Sequence, residues 1–238
     1  SYLYRLVHAI AHLRRELNHR QHIENYILGL THELKTPLTA QQAALELLQD
    51  SPLSPDQQQL LDRIRRNTQK QKQLITRLLE LARLENRDSL NDIQTVDLSS
   101  LAAQAAQESR AALQAKQLHI ALNCPPHAVQ GDPLLLRQAI DNLLYNAIDF
   151  AETGSEIRLS LTRSRNRTEL AVYNQGSPVP NYALAKIPQR FYSLPRADGS
   201  RSSGLGLSFT TEIMRLHHGR LMLANRENGV EALLLFEG

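Results

Sequence analysis

Cysteine is almost missing from this 238-residue chain, and tryptophan is missing altogether. The single Cys124 can close no intrachain disulfide and build no zinc site, so the fold rests on its core and on partner chains, and the expected compartment is a reducing one. Aromatic residues make up 5% of the sequence, too few for a surface that stacks bases. No block of like charge is long enough to hold nucleic acid, although the formal net charge is +3. Long apolar runs are absent too. Nothing approaches the ~18 consecutive apolar residues of a spanning helix, and Arg5, Arg14 and Arg15 interrupt the N-terminal segment, so neither a spanning helix nor a signal peptide is expected. Any membrane contact is expected through a segment upstream of Ser1. What is present is an apolar fraction of 42%, enough for one or two ordinary domains.

Leu3, Leu6, Ile10, Leu13 and Leu17 are spaced three and four apart, the seam of a supercoiled helix. The seam then jumps ten residues from Leu17 to Ile27 before resuming at Leu30 and Leu34, an insertion of three that strains the supercoil. The helix is predicted to run to about Gln49. Asp50 to Asp56 carries two prolines and reads as a turn with an N-cap. A second helix is predicted from about Asp56, with Leu60, Ile64, Asn67, Gln71, Leu74, Leu78 and Leu81 along its seam. One apolar stripe per helix closes no core alone, so the hairpin is expected to dimerise into a four-helix bundle. Polar residues 85–92 mark the domain boundary.

Beyond residue 92 the pattern becomes mixed. Strands are predicted at 93–98, 118–123, 156–162 and 169–173, and helices at 99–117, capped by serine, and at 132–150. Residues 174–204 are rich in Gly, Pro and Ser and too long for an ordinary connection. The chain is expected to close with a helix from Leu205 to His217, stopped by Gly219, and a hairpin of 220–225 with 231–236. This order predicts an all-α dimeric helical hairpin followed by an α+β sandwich, one sheet with helices on one face.

Chemistry concentrates in a few places. His32 lies off the Leu30/Leu34 seam and is expected to face solvent, on a helix that Pro37 should bend by removing a backbone donor. An exposed neutral imidazole is either a solvated surface group or a nucleophile. Its neighbours favour the second: Glu33 can take the Nδ1 proton and Lys35 can steer a phosphate. Asn142 and Asn146 are one turn apart, so both amide oxygens are expected to reach one site, where Asn146 suits a hard cation. Gly204 and Gly206 open a helix whose free N–H groups can hold phosphates. His8 and His12 share a helix face without a third ligand, and His217 and His218 suit the orphan carbonyls of a helix end; none is assigned a role.

His32-Glu-Leu-Lys-Thr-Pro-Leu38 resembles the phosphoacceptor box of bacterial sensor histidine kinases, Asn142 to Ile148 their N box and Gly204-Leu-Gly-Leu207 their G2 box, all in the family's order. The resemblance implies a signalling coiled coil over 1–22, a dimerisation and histidine phosphotransfer domain over 23–87, and a Bergerat-type ATP-binding domain over 93–238. It implies ATP and Mg2+, a homodimer, a response regulator receiver domain as partner, and the cytoplasmic part of an inner-membrane protein. Residue by residue, it implies phosphorylation of His32 with Glu33 as base, Thr36 orienting water for dephosphorylation of the regulator, magnesium at Asn146, and nucleotide contacts at Asn142, Asn146, Phe150, Asn174, Gly176, Arg190, Tyr192, Gly204, Leu205 and Gly206.

Three departures stand out. The G1 box, Asp-x-Gly-x-Gly in the family, reads Asn174-Gln-Gly-Ser-Pro178, which keeps Gly176, weakens the adenine contact and replaces the second glycine. The lost carboxylate is expected to cost about 1 to 2 kcal/mol, roughly tenfold in affinity. Asp149 occupies the place of a phosphate-contacting lysine, and Pro188-Gln-Arg-Phe-Tyr192 replaces Phe-Glu-Arg-Phe-Tyr. The resulting expectation is an active kinase, with a nucleotide-weak scaffold or phosphatase-only dimer as the alternative.

Overall fold

The computed structural model describes residues 25, 27–29, 31–186 and 204–237. The expected coiled coil at 1–22 and the lid residues Arg190 and Tyr192 lie outside them. The chain divides into two compact units, Ser1–Asn86 and Arg87–Gly238.

The first unit is a helical hairpin of α1 (31–49) and α2 (Pro55–Glu85). Ser54 caps α2 in a reciprocal box: its hydroxyl accepts from the Gln57 N–H at 3.3 Å, and the Gln57 side-chain oxygen Oε1 accepts from the Ser54 N–H at 2.9 Å. Pro55 follows at the first helical position, where its missing donor costs nothing. Leu38 and Leu45 of α1 are buried, as are Leu61, Thr68 and Leu79 of α2. Polar rungs cross the hairpin from Gln42 to Gln69 at 3.3 Å, from Lys72 to Gln42 at 3.1 Å and from Arg65 to Gln49 at 3.2 Å.

The seam predicted for α2 divides along its length: Leu81 is fully buried and Leu78 half-buried, whereas Leu60, Ile64, Asn67, Gln71 and Leu74 are exposed and Leu61 and Thr68, one residue further along from Leu60 and Asn67, are covered. A helix in a four-helix bundle needs two adjacent apolar stripes, and over the first part of α2 the predicted seam is the outward one. α1 continues through Pro37. Thr36 and Thr39 flank it and donate their hydroxyls to the carbonyls of His32 and Lys35 at 2.8 and 2.9 Å.

The second unit contains β1 (Gln94–Asp97), α3 (Leu98–Glu108), α4 (Arg110–Ala115), β2 (His119–Asn123), β3 (Ala128–Gly131), α5 (Pro133–Phe150), β4 (Glu156–Ser164), β5 (Arg167–Gln175), α6 (Asn181–Leu184), α7 (Gly206–Leu216), β6 (Arg220–Arg226) and β7 (Gly229–Glu237). Five strands form one mixed sheet in the order β2-β4-β5-β7-β6, parallel between β2 and β4 and antiparallel elsewhere. β1 and β3 make a separate antiparallel pair. Leu159, Val172 and Ala232 lie in one row across the sheet, and Leu161, Leu170 and Leu234 in the next. These inward residues, all buried except the partly exposed Ala232, form the core with the buried Leu136, Ile140, Leu143 and Leu144 of α5 and Ile213 and Met214 of α7. Asn174 shares that face, registered between Ile157 and Val230.

The helix predicted over 99–117 is two helices, broken at the buried Ser109. Its cap is Asp97 rather than a serine: one carboxylate oxygen accepts from the Ser99 N–H at 3.0 Å and its hydroxyl at 2.7 Å, and the other from the Ser100 hydroxyl at 2.7 Å. The hydroxyls of Ser100 and Ser99 hold this carboxyl down to about 2. The sequence reading missed β3, four residues with no room for a period, and the single-turn α6 inside the long connection.

Candidate functional site

In the hairpin, His32, Glu33, Lys35 and Thr36 are all exposed on α1, His32 as expected from its position off the Leu30/Leu34 seam. The Thr36 hydroxyl hydrogen is committed to the His32 carbonyl, which leaves the oxygen's lone pairs for outside donors.

In the second unit the candidate residues gather where α5 ends, β5 ends and α7 begins. Asp132 caps α5 by accepting from the N–H groups of Leu134 and Leu135 at 2.9 and 3.2 Å. Three turns along, Asn142 holds the start of α7 through its amide nitrogen and keeps its oxygen uncommitted among the described residues. Its NH2 group donates to the Gly206 carbonyl at 3.0 Å and reaches the Thr210 hydroxyl at 3.4 Å, so this amide ties α5 to the first turn of α7. The Thr210 hydroxyl, fully buried, in turn donates to the same Gly206 carbonyl at 3.0 Å. Asn146, half-buried one turn on, makes no side-chain hydrogen bond among the described residues and presents a hard amide oxygen. Phe150, the last residue of α5, is 37% exposed.

Opposite that helix end, Asn174 is buried, and among the described residues its amide nitrogen reaches only the neighbouring Gln175 carbonyl at 3.4 Å. Gly176 is required by its surroundings: a Cβ there would stand 2.6 Å from the Phe150 carbonyl oxygen. Gly204 takes a left-handed φ of 67°, and Gly206 opens α7 with only Asn142 atoms near its missing Cβ, at 3.7 Å and beyond. Leu205 is fully buried. As N-cap of α7 it has no side-chain acceptor to offer, unlike Ser54, Asp97 and Asp132 at the other long helices. The cap residue thus supplies no side-chain acceptor to the Gly206 and Leu207 N–H groups, which suit an anion.

The opposite end of α7 holds a histidine that belongs to none of the motifs. His217 donates from Nδ1 to the Ile213 carbonyl at 2.7 Å, the helix-end contact expected of it, and also accepts at Nε2 from the Asp132 N–H at 3.0 Å. A backbone donor at Nε2 fixes the neutral tautomer. Burial, the largest influence, pushes this imidazole below its ordinary value. The unfolded chain takes up the proton near pH 6.5 while the folded one refuses it, so the contact stabilises fully above that pH and is lost as pH falls below it. Thermal melting of the chain is expected to fall between pH 7.5 and 5.5, and His217→Gln is expected to remove part of that slope.

A family model described as His Kinase A (phospho-acceptor) domain matches residues 24–87, and one described as Histidine kinase-, DNA gyrase B-, and HSP90-like ATPase matches residues 131–235. Sensor protein CreC of Escherichia coli (strain K12) is 39% identical over 235 residues, 98% of this chain and 49% of that protein. Heme sensor protein HssS of Staphylococcus aureus (strain Newman) is 33% identical over 202 residues, 85% of this chain and 43% of that protein. The chain thus spans about half the length of the curated relatives it matches. Among solved structures, full-length ShkA in complex with AMPPNP superposes with a TM-score of 0.74 at 24% identity, over 89% of this chain and 45% of that one. Acinetobacter baumannii histidine kinase AdeS superposes with a TM-score of 0.63 at 19% identity, over 87% and 97%. At these identities the two structures speak for the fold.

Proposed function

The chain belongs to the histidine kinases, carrying a phospho-acceptor domain ahead of an ATPase domain, and from that premise we propose that it is the kinase core of a two-component sensor. It takes the γ-phosphoryl group of ATP onto His32 and passes it to an aspartate of a response regulator receiver domain. The observation that carries the reading is the exposed His32–Glu33 pair on α1 in a chain that also has an uncapped α7 N-terminus tied to α5 through Asn142.

Glu33 accepts the Nδ1 proton as Nε2 attacks; the bond from phosphorus to the bridging oxygen breaks, an N–P bond forms, and ADP leaves. Transfer to the regulator exchanges that N–P bond for an acyl phosphate and returns a neutral His32. The phosphates lie against the N–H groups at Gly206, whose positions the Asn142 and Thr210 bonds hold before nucleotide arrives. Magnesium, for which the Asn146 oxygen is a fitting ligand, supplies neutralisation of phosphate charge when bound. Phe150, exposed beside Gly176, provides an apolar face for the adenine. Thr36 orients a water through its outward lone pairs when the regulator is dephosphorylated.

The exposed apolar stripe of Leu60, Ile64 and Leu74 supports a homodimer, since a second hairpin covers it in a four-helix bundle. No helix among the described residues is long and apolar enough to cross a membrane.

The test is incubation with γ-labelled ATP and magnesium. Label bound to protein, stable in alkali and lost in acid, is expected. No label with nucleotide still bound would leave an ATP-binding dimer without kinase activity, and loss of both would favour the scaffold. Asn174 supplies a graded check. Asn174→Asp restores a full acceptor for the adenine amino group and is expected to tighten ATP about tenfold by titration. Without nucleotide the same variant is expected to melt at a lower temperature, because its new charge is buried and unpaired.

A further inference from the structure

Lys116 belongs to none of the motifs that carry the kinase reading. It sits just past α4, where Gln117 takes a positive φ of 55° and turns the chain into β2. Its Nζ donates to three carbonyl oxygens at the far end of α5: Ile148 at 2.8 Å, Asp149 at 2.7 Å and Ala151 at 3.1 Å. An ammonium has three donors and no acceptor, and the last turn of a helix leaves its carbonyls without intrahelical partners. Positive charge also suits that end of the helix dipole. The backbone around it is tied down as well: the Lys116 carbonyl accepts from the Gly154 N–H at 3.1 Å, and the Glu152 N–H donates to the Gln175 carbonyl at 3.0 Å. One small knot thus joins the α4–β2 connection, the end of α5 and the end of β5.

The knot fixes the turn of α5 on which the candidate nucleotide residues stand. Phe150 lies between Asp149 and Ala151, whose carbonyls Lys116 holds, and its own carbonyl faces Gly176. Asn146 is one turn earlier. We infer that Lys116 is a positioning residue of the nucleotide site, acting through the α5 backbone to set the Phe150 ring and the Asn146 amide rather than by touching ATP. The inference rests on the reading of this corner as an ATP site. Removing the ammonium frees three carbonyls and lets the helix end fray, and displacements of an ångström or less in such sites are felt strongly in binding.

The test compares the unaltered chain with Lys116→Met, which keeps the aliphatic stem and loses every donor, and Lys116→Arg, which keeps charge and donors. For Lys116→Met, the Kd of a fluorescent trinitrophenyl ATP analogue and the KM for ATP are expected to rise about tenfold, with kcat at saturating ATP within about twofold. Lys116→Arg is expected to recover to within about threefold of the unaltered chain. A role in stability alone would lower the melting temperature and leave KM unchanged, and that result overturns the inference. Should Lys116→Met not fold, Lys116→Gln carries the comparison: a KM raised about threefold supports positioning, and an unchanged KM overturns it. If neither neutral variant folds, Lys116 is a structural residue and the inference fails. An unaltered chain that binds no analogue fails at the first measurement, and that outcome strikes the ATP reading itself.

Discussion

His32→Gln is expected to carry no acid-labile phosphate after incubation with labelled ATP and magnesium, under conditions in which the unaltered chain is labelled. The side chain is exposed on a helix, so the substitution should shift stability by no more than about 0.5 kcal/mol. What it removes is a nitrogen lone pair, which an amide does not offer at neutral pH. Loss of label is therefore complete rather than partial, while binding of nucleotide to the second unit is unaffected. Glu33→Gln separates base from nucleophile: labelling should slow by roughly 100-fold or more, the usual worth of a positioned base, and yet reach a phosphohistidine. Label that persisted in His32→Gln would place the acceptor elsewhere and remove the central claim.

Gly176→Ala is expected to reduce nucleotide affinity by about 10- to 100-fold, read by titration with a fluorescent ATP analogue. The new Cβ would stand 2.6 Å from the Phe150 carbonyl oxygen, and that oxygen is backbone at a helix end that Lys116 already holds. Either the end of β5 or the end of α5 has to shift, at a cost of about 1 to 3 kcal/mol in stability. Gly206→Ala makes the contrast. A Cβ there meets Asn142 atoms no closer than 3.7 Å, ordinary contact, so the empty protein tolerates it. Its effect should appear only when phosphates occupy the space over the α7 N-terminus. Gly176 thus reports on the shape of the pocket and Gly206 on its contents. Equal stability losses in the two variants, without a difference in binding, would refute that division.

Much of the architecture was legible because it follows from period and punctuation. Pro55 after Ser54, Asp132 before Pro133 and the alternating β4 and β5 segments are local signals, and the structure places elements there. The α2 seam held at Leu81 and not over Leu60 to Leu74, for a physical reason: Leu60 and Leu61 are adjacent and both apolar, and sequence alone does not say which stripe is covered and which is left outside. Polar side chains were harder still. An amide carries a donor and an acceptor, and the pairing of Asn142 with Gly206 spans 64 positions, so no window of sequence shows that its NH2 end is the one engaged. Lys116 and His217 were passed over on the same ground. Their partners are carbonyls and N–H groups of distant backbone, which belong to every residue and so leave no trace in residue identity. The His32 segment was readable because its chemistry depends on close neighbours in one helix.

The two ties between α5 and α7, Asn142 to Gly206 and Asp132 to His217, lie ten residues apart on one helix and eleven on the other, roughly 15 Å along antiparallel axes. They form a chelate. With one tie made, the rigid helices present the partners of the other at a high effective concentration, so each strengthens the other through geometry alone. Cutting either loosens both, and a ligand that orders the Gly206 end draws the distant Asp132 amide into the same equilibrium. Affinity for nucleotide at one end and protonation of an imidazole at the other thereby become linked quantities, although the groups involved never meet.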